Sequence, residues 1–167
     1  MILDFNSREY SIRELFDSYH RGETILSPKF QRRPVWDYKA KSYLMDSIIS
    51  GFPIPRIFIR ESTNLDMTAT REIVDGQQRL KTIFDFLNDG FRISPVHNKQ
   101  YGGLYYSELP SEVQKDILKY PVSAVLLIDL DDNAVIDIFA RLNTYSVKLN
   151  NQELLNSQYF GLFKQLV

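Results

Sequence analysis

The spacing of apolar residues predicts short strands and helices that follow one another along the whole chain. Apolar residues that recur at every third or fourth position indicate amphipathic helices, whereas short apolar runs between turn residues indicate strands. Ser11 with Glu14, and Asn150 with Glu153, have the spacing of capping boxes, which mark helix starts. We therefore predict helices over residues 12–21, 37–51, 77–88, 111–120, 132–142 and 150–166, and strands over residues 56–61, 71–74 and 122–130.

This order of elements predicts an α+β fold, in which helices flank a small mixed sheet and the C-terminal part is helical. A chain of 167 residues is the size of one domain with one hydrophobic core, so we expect residues 1–167 to form a single domain. Pro28 and Pro34 interrupt the segment over residues 26–36, which we expect to be extended backbone that leads into a loop.

Composition narrows the possible functions. Apolar residues make up 44% and charged residues 25% of the chain, which excludes a disordered or fibrous protein. The net charge of -1 argues against binding of nucleic acid by bulk electrostatics. The chain has no cysteine, and His20 and His97 lie far apart, so a thiol or histidine metal site is not expected. The sequence shows neither a membrane-spanning run nor a secretory pattern, and we expect a cytoplasmic protein.

The strongest candidate for chemistry is the junction Asp75-Gly76-Gln77-Gln78-Arg79-Leu80-Lys81-Thr82, where a strand turns through glycine into a helix. A helix start has unpaired amide groups and a partial positive charge, and it therefore attracts phosphate. Gly76 allows close approach to the backbone, Arg79 and Lys81 add positive charge, and Thr82 adds a hydroxyl. The alternative is a purely structural capping box formed by Asp75 and Gln78.

Two further arginine segments are weaker candidates. In Phe30-Gln31-Arg32-Arg33-Pro34-Val35-Trp36, arginines suited to phosphate precede the chain's one tryptophan, which could stack on a base. The alternative there is a solvated surface turn with Trp36 in the core. In Arg141-Leu142-Asn143-Thr144, the arginine ends a helix, a position that is favourable without any ligand.

Together these segments resemble the N-terminal domain of GmrSD-type modification-dependent restriction systems and related phage-defence proteins. The resemblance rests on the two motifs given above around Arg32 and Arg79, on the segment over residues 44–55, and on Phe139-Ala140-Arg141-Leu142-Asn143-Thr144 followed by Leu149-Asn150-Asn151-Gln152-Glu153-Leu154. That family is similar in fold to the ParB and sulfiredoxin superfamily. The resemblance implies a ParB-like core over about residues 10–95, an extension over residues 96–167, and a longer natural protein of which this chain is the N-terminal part.

The resemblance also implies a function, namely nucleoside triphosphate binding and hydrolysis by the regulatory domain of a DNA restriction and phage-defence system. It assigns Asp75, Gln77, Gln78 and Arg79 to catalysis, and the nucleotide-binding residues are then Gln31, Arg32, Arg33, Gly76, Lys81, Thr82, Arg141 and Asn143. Mg²⁺ is expected to accompany the nucleotide. DNA and an HNH-type nuclease domain or subunit are the implied partners, and a homo-oligomer is compatible with the resemblance.

Two other functions stay open from the sequence. A non-catalytic module could use the same arginines to recognise modified DNA or a partner nuclease. A ParB-like nuclease would need metal ligands, and the chain carries no dense acidic cluster or histidine pair to supply them. Asp75 with Asp129, Asp131 or Asp132 stays open as a ligand set.

Overall fold

A five-stranded mixed sheet organises the part of the chain that the computed structural model describes, residues 5–27, 30 and 36–145. The strand order is β1-β5-β3-β4-β2, with β1–β5 and β3–β4 antiparallel and β5–β3 and β4–β2 parallel. The strands are β1 (Phe5–Ser11), β2 (Thr24–Ile25), β3 (Ile57–Thr63), β4 (Ala69–Asp75) and β5 (Pro121–Ile128). The helices are α1 (Ile12–His20), α2 (Tyr38–Ile49), α3 (Gln77–Leu87), α4 (Ser111–Lys119) and α5 (132–145), with a 3-10 turn at Tyr106–Glu108.

Polar caps start the first two helices where the sequence predicts them. Ser11 accepts a hydrogen bond from the amide of Glu14 at 3.1 Å, and the Glu14 carboxylate accepts one from the Ser11 amide at 3.4 Å, which completes the capping box of α1. Asp37 accepts from the amide of Ala40 at 2.9 Å at the start of α2. These caps satisfy amide groups that have no partner inside the helix, and they fix where α1 and α2 begin.

The hydrophobic core lies between one face of the sheet and helices α1–α4. Alternate residues of the strands point into this core, because successive side chains of a strand face opposite sides of a sheet. The core includes Ile57 and Ile59 of β3, Ile73 of β4, Val122, Ala124 and Leu126 of β5, and Leu15, Met45, Leu80 and Ile83 of the helices. Packing on the core therefore fixes α3 against the sheet.

The structure confirms the α+β fold with a small mixed sheet. The helices and strands predicted between residues 12 and 142 are present, with ends that differ by a few residues. Strands β1 and β2 are additional to the prediction. The segment 28–29, residues 31–35 and the helix predicted over residues 150–166 lie outside the described residues.

The chain divides into two compact units, Met1–Leu130 and Asp131–Val167. The first unit contains the whole sheet, including β5, which lies between β1 and β3. The second unit contains α5, whose start is capped by the Asp131 carboxylate, which accepts from the amide of Ala134 at 2.8 Å. Among the described helices, not one combines the length and the hydropathy needed to cross a membrane.

Candidate functional site

Helix α3 begins directly after Gly76, which adopts a left-handed conformation with φ of 99°. A β-carbon at this position would lie 2.5 Å from Cγ2 of Ile57, so both the backbone angle and the packing on β3 require glycine. The N-cap of α3 is Gly76 itself, and among the described residues the helix start has no side-chain cap. The alternative of a capping box formed by Asp75 and Gln78 is therefore wrong, because the helix starts one residue later than that box requires.

The first intrahelical hydrogen bond of α3 runs from the amide of Leu80 to the carbonyl of Gly76 at 3.1 Å. The amides that precede Leu80 in the helix have no acceptor within α3, as at any helix start. They carry the partial positive charge of the helix dipole. The start of α3 therefore has the electrostatic character of an anion site.

The two glutamines of the motif have different surroundings. Gln77 is buried, and its Nε2 donates to the carbonyls of Ser27 at 2.7 Å and Ile73 at 3.0 Å. Gln78 is half-buried, and its Oε1 accepts from the amide of Trp36 at 3.3 Å. Ser27 and Trp36 are therefore both bound to the first turn of α3.

Arg79 joins the start of α3 to the start of β3. Its Nη2 donates to the carbonyl of Arg56 at 2.9 Å and lies 3.8 Å from Oδ2 of Asp75, one helical turn earlier. Both side chains are largely buried, with 15% of Arg79 and 22% of Asp75 exposed. Two of the predicted catalytic residues thus form an ion pair beside the Gly76 turn.

A cavity of about 390 Å³ lies along one side of α3, and we call it the lysine cavity. Its lining comes from three helices and includes Tyr19, Lys41, Gln78, Lys81, Thr82 and Asp85. Nζ of Lys41, on α2, lies 3.9 Å from Oδ2 of Asp85. Nε2 of Gln78 and Oγ1 of Thr82 are buried and have no hydrogen-bond partner among the described residues. This side of α3 therefore combines positive charge with polar atoms that have no partner in the described part of the chain.

A groove of about 660 Å³ contacts α3 through Arg79, and we call it the aromatic groove. Its lining includes Trp36, Tyr43, Phe52, Pro53, Ile54 and Arg79. Tyr43 and Phe52 are 63% and 61% exposed. The groove is thus a largely apolar surface with one carboxylate, Asp46, and one arginine, whose guanidinium is already bound by the protein backbone.

The helical period explains why the motif divides between the two sides. Gln78, Lys81, Thr82 and Asp85 are spaced like neighbours on one helix face, three or four residues apart. Arg79 is rotated from Gln78 by about 100° around the helix axis. The structure therefore brings Gln78, Lys81 and Thr82 together in the lysine cavity and directs Arg79 to the aromatic groove.

The described residues include only part of the remaining sequence candidates. Gln31, Arg32 and Arg33 are outside the described residues. Arg141 and Asn143 lie on the exposed surface of α5, in the second unit. A hydrogen bond from Arg141 to Asp137, together with the charge of Asp137, raises the pKa of Arg141, and the two side chains form an exposed ion pair at 3.3 Å.

Carboxylates do not assemble into a metal site within residues 5–27, 30 and 36–145, where no three His, Asp or Glu side chains are placed to share a metal ion. Two aspartates proposed as nuclease ligands have structural hydrogen bonds instead. Asp129 accepts from the amide of Thr63 at 3.0 Å, and Asp131 caps α5. The described part of the chain thus gives the nuclease alternative no ligand set.

Comparison with known proteins supports the resemblance seen in the sequence. The family model described as the N-terminal domain of the GmrSD restriction endonuclease matches residues 12–160. No curated protein matches the chain. Among solved structures, the chain is similar to the C-terminally truncated chromosome-partitioning protein ParB from Caulobacter crescentus, crystallised with CTP-gamma-S, with 19% identity and a TM-score of 0.42. The match covers 83% of this chain and 52% of the ParB chain, so this chain spans about half the length of that protein.

Proposed function

Because the chain belongs to the family of GmrSD restriction endonuclease N-terminal domains, we propose that it is the nucleoside triphosphate-binding regulatory domain of a DNA restriction system. One observation carries the proposal. Within the described part of the chain, helix α3 starts without a side-chain cap, and it lies beside a cavity lined by Lys41 and Lys81. Gln78 and Thr82 also line this cavity, and each has one buried polar atom without a partner among the described residues. A triphosphate supplies the negative charge and the acceptor oxygens that these groups lack.

We further propose that the bound triphosphate is hydrolysed at the start of α3. Arg79 supplies positive charge against the negative charge that develops on the transferred phosphoryl group. Asp75, which lies 3.8 Å from Arg79, or one of the two glutamines orients the attacking water. Mg²⁺ would be bound mainly by phosphate oxygens, with Asp75 or Thr82 as its protein ligand.

Gln31, Arg32 and Arg33 belong to the same proposed site. The supporting contacts are those of the flanking residues, Ser27 with Gln77 and Trp36 with Gln78. Both contacts are made to the first turn of α3, where we propose the phosphate site. Arg32 and Arg33 would add guanidinium groups, which bind phosphate through paired hydrogen bonds.

Titration of the chain with each of the four nucleoside triphosphates in the presence of Mg²⁺, by isothermal calorimetry, tests binding. Phosphate release tests hydrolysis, and we expect Arg79→Ala to lower its rate by about a hundredfold, as loss of one charge-stabilising donor does in other enzymes. Arg13→Ala, which removes an exposed arginine of α1, is the control and should leave the rate unchanged. Failure of all four nucleotides to bind would reject the proposal. An unchanged rate in Arg79→Ala would remove Arg79 from the mechanism.

The second candidate function is a non-catalytic module that binds a partner nuclease. The exposed rings of Tyr43 and Phe52 in the aromatic groove favour it, because aromatic residues are enriched in protein interfaces. Recognition of modified DNA by the same module has less support, since the chain carries a net charge of -1. This module would bind its partner without turning over a nucleotide.

A further inference from the structure

The lysine cavity contains a cation that lies outside the sequence motifs, Lys41 on α2. Its side chain is 27% exposed, and its ammonium group is 3.9 Å from the Asp85 carboxylate, at the long end of an ion pair. The ammonium also lies 5.9 Å from the centre of the Phe91 ring. A strongly hydrated ammonium held this loosely over an apolar ring keeps hydrogen-bonding capacity for another acceptor.

We propose that Lys41 binds a phosphate group of the nucleoside triphosphate, and that Asp85 is the counter-ion which the phosphate displaces. This inference rests on the proposed function, and it names the part of the ligand that the lysine cavity takes. The described lining of the cavity contains Lys41, Lys81 and one carboxylate, Asp85, so its charged side chains leave one net positive charge. A bound anion neutralises this charge.

The two buried polar atoms of the cavity indicate the same ligand chemistry. The amide of Trp36 donates to Oε1 of Gln78, which fixes the orientation of the side-chain amide and makes its other atom, Nε2, a donor without a partner in the described part of the chain. Thr82 is 1% exposed, and its hydroxyl also has no partner among the described residues. A buried donor without a partner is unfavourable by about 1–3 kcal/mol, a cost that a ligand acceptor removes.

The phosphate group that Lys41 binds lies on this side of α3. Gln78 and Thr82 lie one helical turn apart, and Lys81 lies on the same face of the helix. Lys41 faces them from α2, so donors from two helices surround the cavity. A volume of about 390 Å³ falls in the range of small-ligand sites.

The test compares two lysines of the same helix. Lys41→Gln removes the charge from the cavity and keeps most of the side chain, whereas Lys39→Gln removes an exposed charge that does not line the cavity. Each variant of the full chain is titrated with the Mg²⁺ complex of the tightest-binding nucleoside triphosphate and, separately, with inorganic tripolyphosphate. Thermal unfolding of each variant verifies that it is folded.

We expect Lys41→Gln to weaken the binding of both ligands by about tenfold, the usual effect of losing a hydrogen bond to a charged group. Lys39→Gln should change either affinity by less than about twofold, since an exposed distant charge is screened by salt. Asp85→Asn should act in the opposite direction and tighten binding, because it removes the carboxylate that competes with phosphate for Lys41.

The outcomes separate this inference from the proposed function. If the wild-type chain binds nucleotide and Lys41→Gln binds it as tightly as Lys39→Gln does, the role of Lys41 is rejected and the proposed function stands. If tripolyphosphate binds and no nucleoside triphosphate does, the proposed function is rejected, and the loss of tripolyphosphate affinity in Lys41→Gln decides the role of Lys41. If neither ligand binds, both are rejected.

Discussion

The lysine cavity and the aromatic groove lie on two sides of the same helix and are built on opposite chemistry. On the cavity side, two lysines face one carboxylate, and two buried polar atoms have no partner among the described residues. On the groove side, Arg79 is bound by the carbonyl of Arg56 and by Asp75, and the remaining lining is largely aromatic and aliphatic. The cavity thus lacks an anion, whereas the guanidinium beside the groove already has an acceptor and a counter-ion.

This difference allows one short motif to serve both structure and the ligand binding that we propose. Neighbouring residues of a helix face different directions, so Gln77, Gln78 and Arg79 contact three different parts of the chain. Gln77 bonds to the backbone of Ser27 and Ile73, Gln78 lines the cavity, and Arg79 holds the start of β3. Substitutions at adjacent positions should consequently separate stability from ligand binding.

The largest effect is expected at Gly76, on which both sides of α3 depend. Gly76→Ala must place a β-carbon against Ile57 and hold alanine at φ of 99°. We expect a loss of about 3 kcal/mol in the free energy of unfolding, from left-handed backbone strain and overpacking together. Urea unfolding of the variant and the wild type measures this loss.

Gly103→Ala is the matched control, because Gly103 also has a positive φ, 84°, but a β-carbon added there would meet no described atom within 4 Å. Gly103→Ala introduces left-handed backbone strain but no steric clash, so its free energy of unfolding should fall by only about 1–2 kcal/mol. Equal losses in the two variants would show that contact with Ile57 does not hold the turn, and that Gly76 is required for its backbone angle alone.

The second-largest effect is a difference in stability between substitutions of the two glutamines. Gln77→Met removes the donors of two buried carbonyl groups and should lower the free energy of unfolding by about 2 kcal/mol. Gln78→Met breaks one hydrogen bond to the Trp36 amide but also removes the buried Nε2, which has no partner among the described residues, so its loss should be about 1 kcal/mol or less.

Nucleotide affinity should follow the reverse order, with Gln78→Met the weaker binder at a temperature where both variants are folded. Denaturant unfolding measures the stability of the two variants, and calorimetric titration of the same samples measures their nucleotide affinity. If Gln77→Met is both the less stable variant and the weaker binder, the separation of roles is contradicted. Gln78 would then act on binding only through the fold.

Much of the fold could be predicted because its signals are local. The Ser11 and Asp37 caps, the period of α3 and the apolar run of β5 are all present within single segments of sequence. Strand β1 gives no such signal, since residues 5–9 are exposed and only Tyr10 of the strand is buried. Strand β2 spans two residues, too few for a pattern.

The candidate site could be predicted only in part. The motif predicts the start of α3 and contains Gln78, Lys81 and Thr82, which the structure brings into one cavity. Lys41 could not be predicted, because its relevance depends on the packing of α2 beside α3, which no local pattern encodes. Similarly, the spacing of Asp75 and Gln78 fits a capping box, whereas the helix starts one residue later, after Gly76 in its left-handed conformation.

The smallest effect is expected at Phe52, which tests whether the groove is independent of the nucleotide site. Phe52 is 61% exposed, and its described hydrogen bonds use backbone atoms, since its amide donates to the carbonyl of Ser47 at 2.9 Å and its carbonyl accepts from the hydroxyl of Tyr120 at 2.6 Å. Phe52→Ser keeps both backbone groups, so we expect a change in the free energy of unfolding within about 0.5 kcal/mol, as for other exposed positions. Nucleotide affinity should stay within about twofold of the wild type, because the substitution changes no charge near the phosphates.

A tenfold or larger loss of nucleotide affinity in Phe52→Ser, measured by the same calorimetric titration, would mean that the ligand extends across Arg79 into the groove. The two sides of α3 would then form one site. Unchanged affinity would leave the exposed rings of the groove without a role in nucleotide binding, which is the result that the partner-binding module requires.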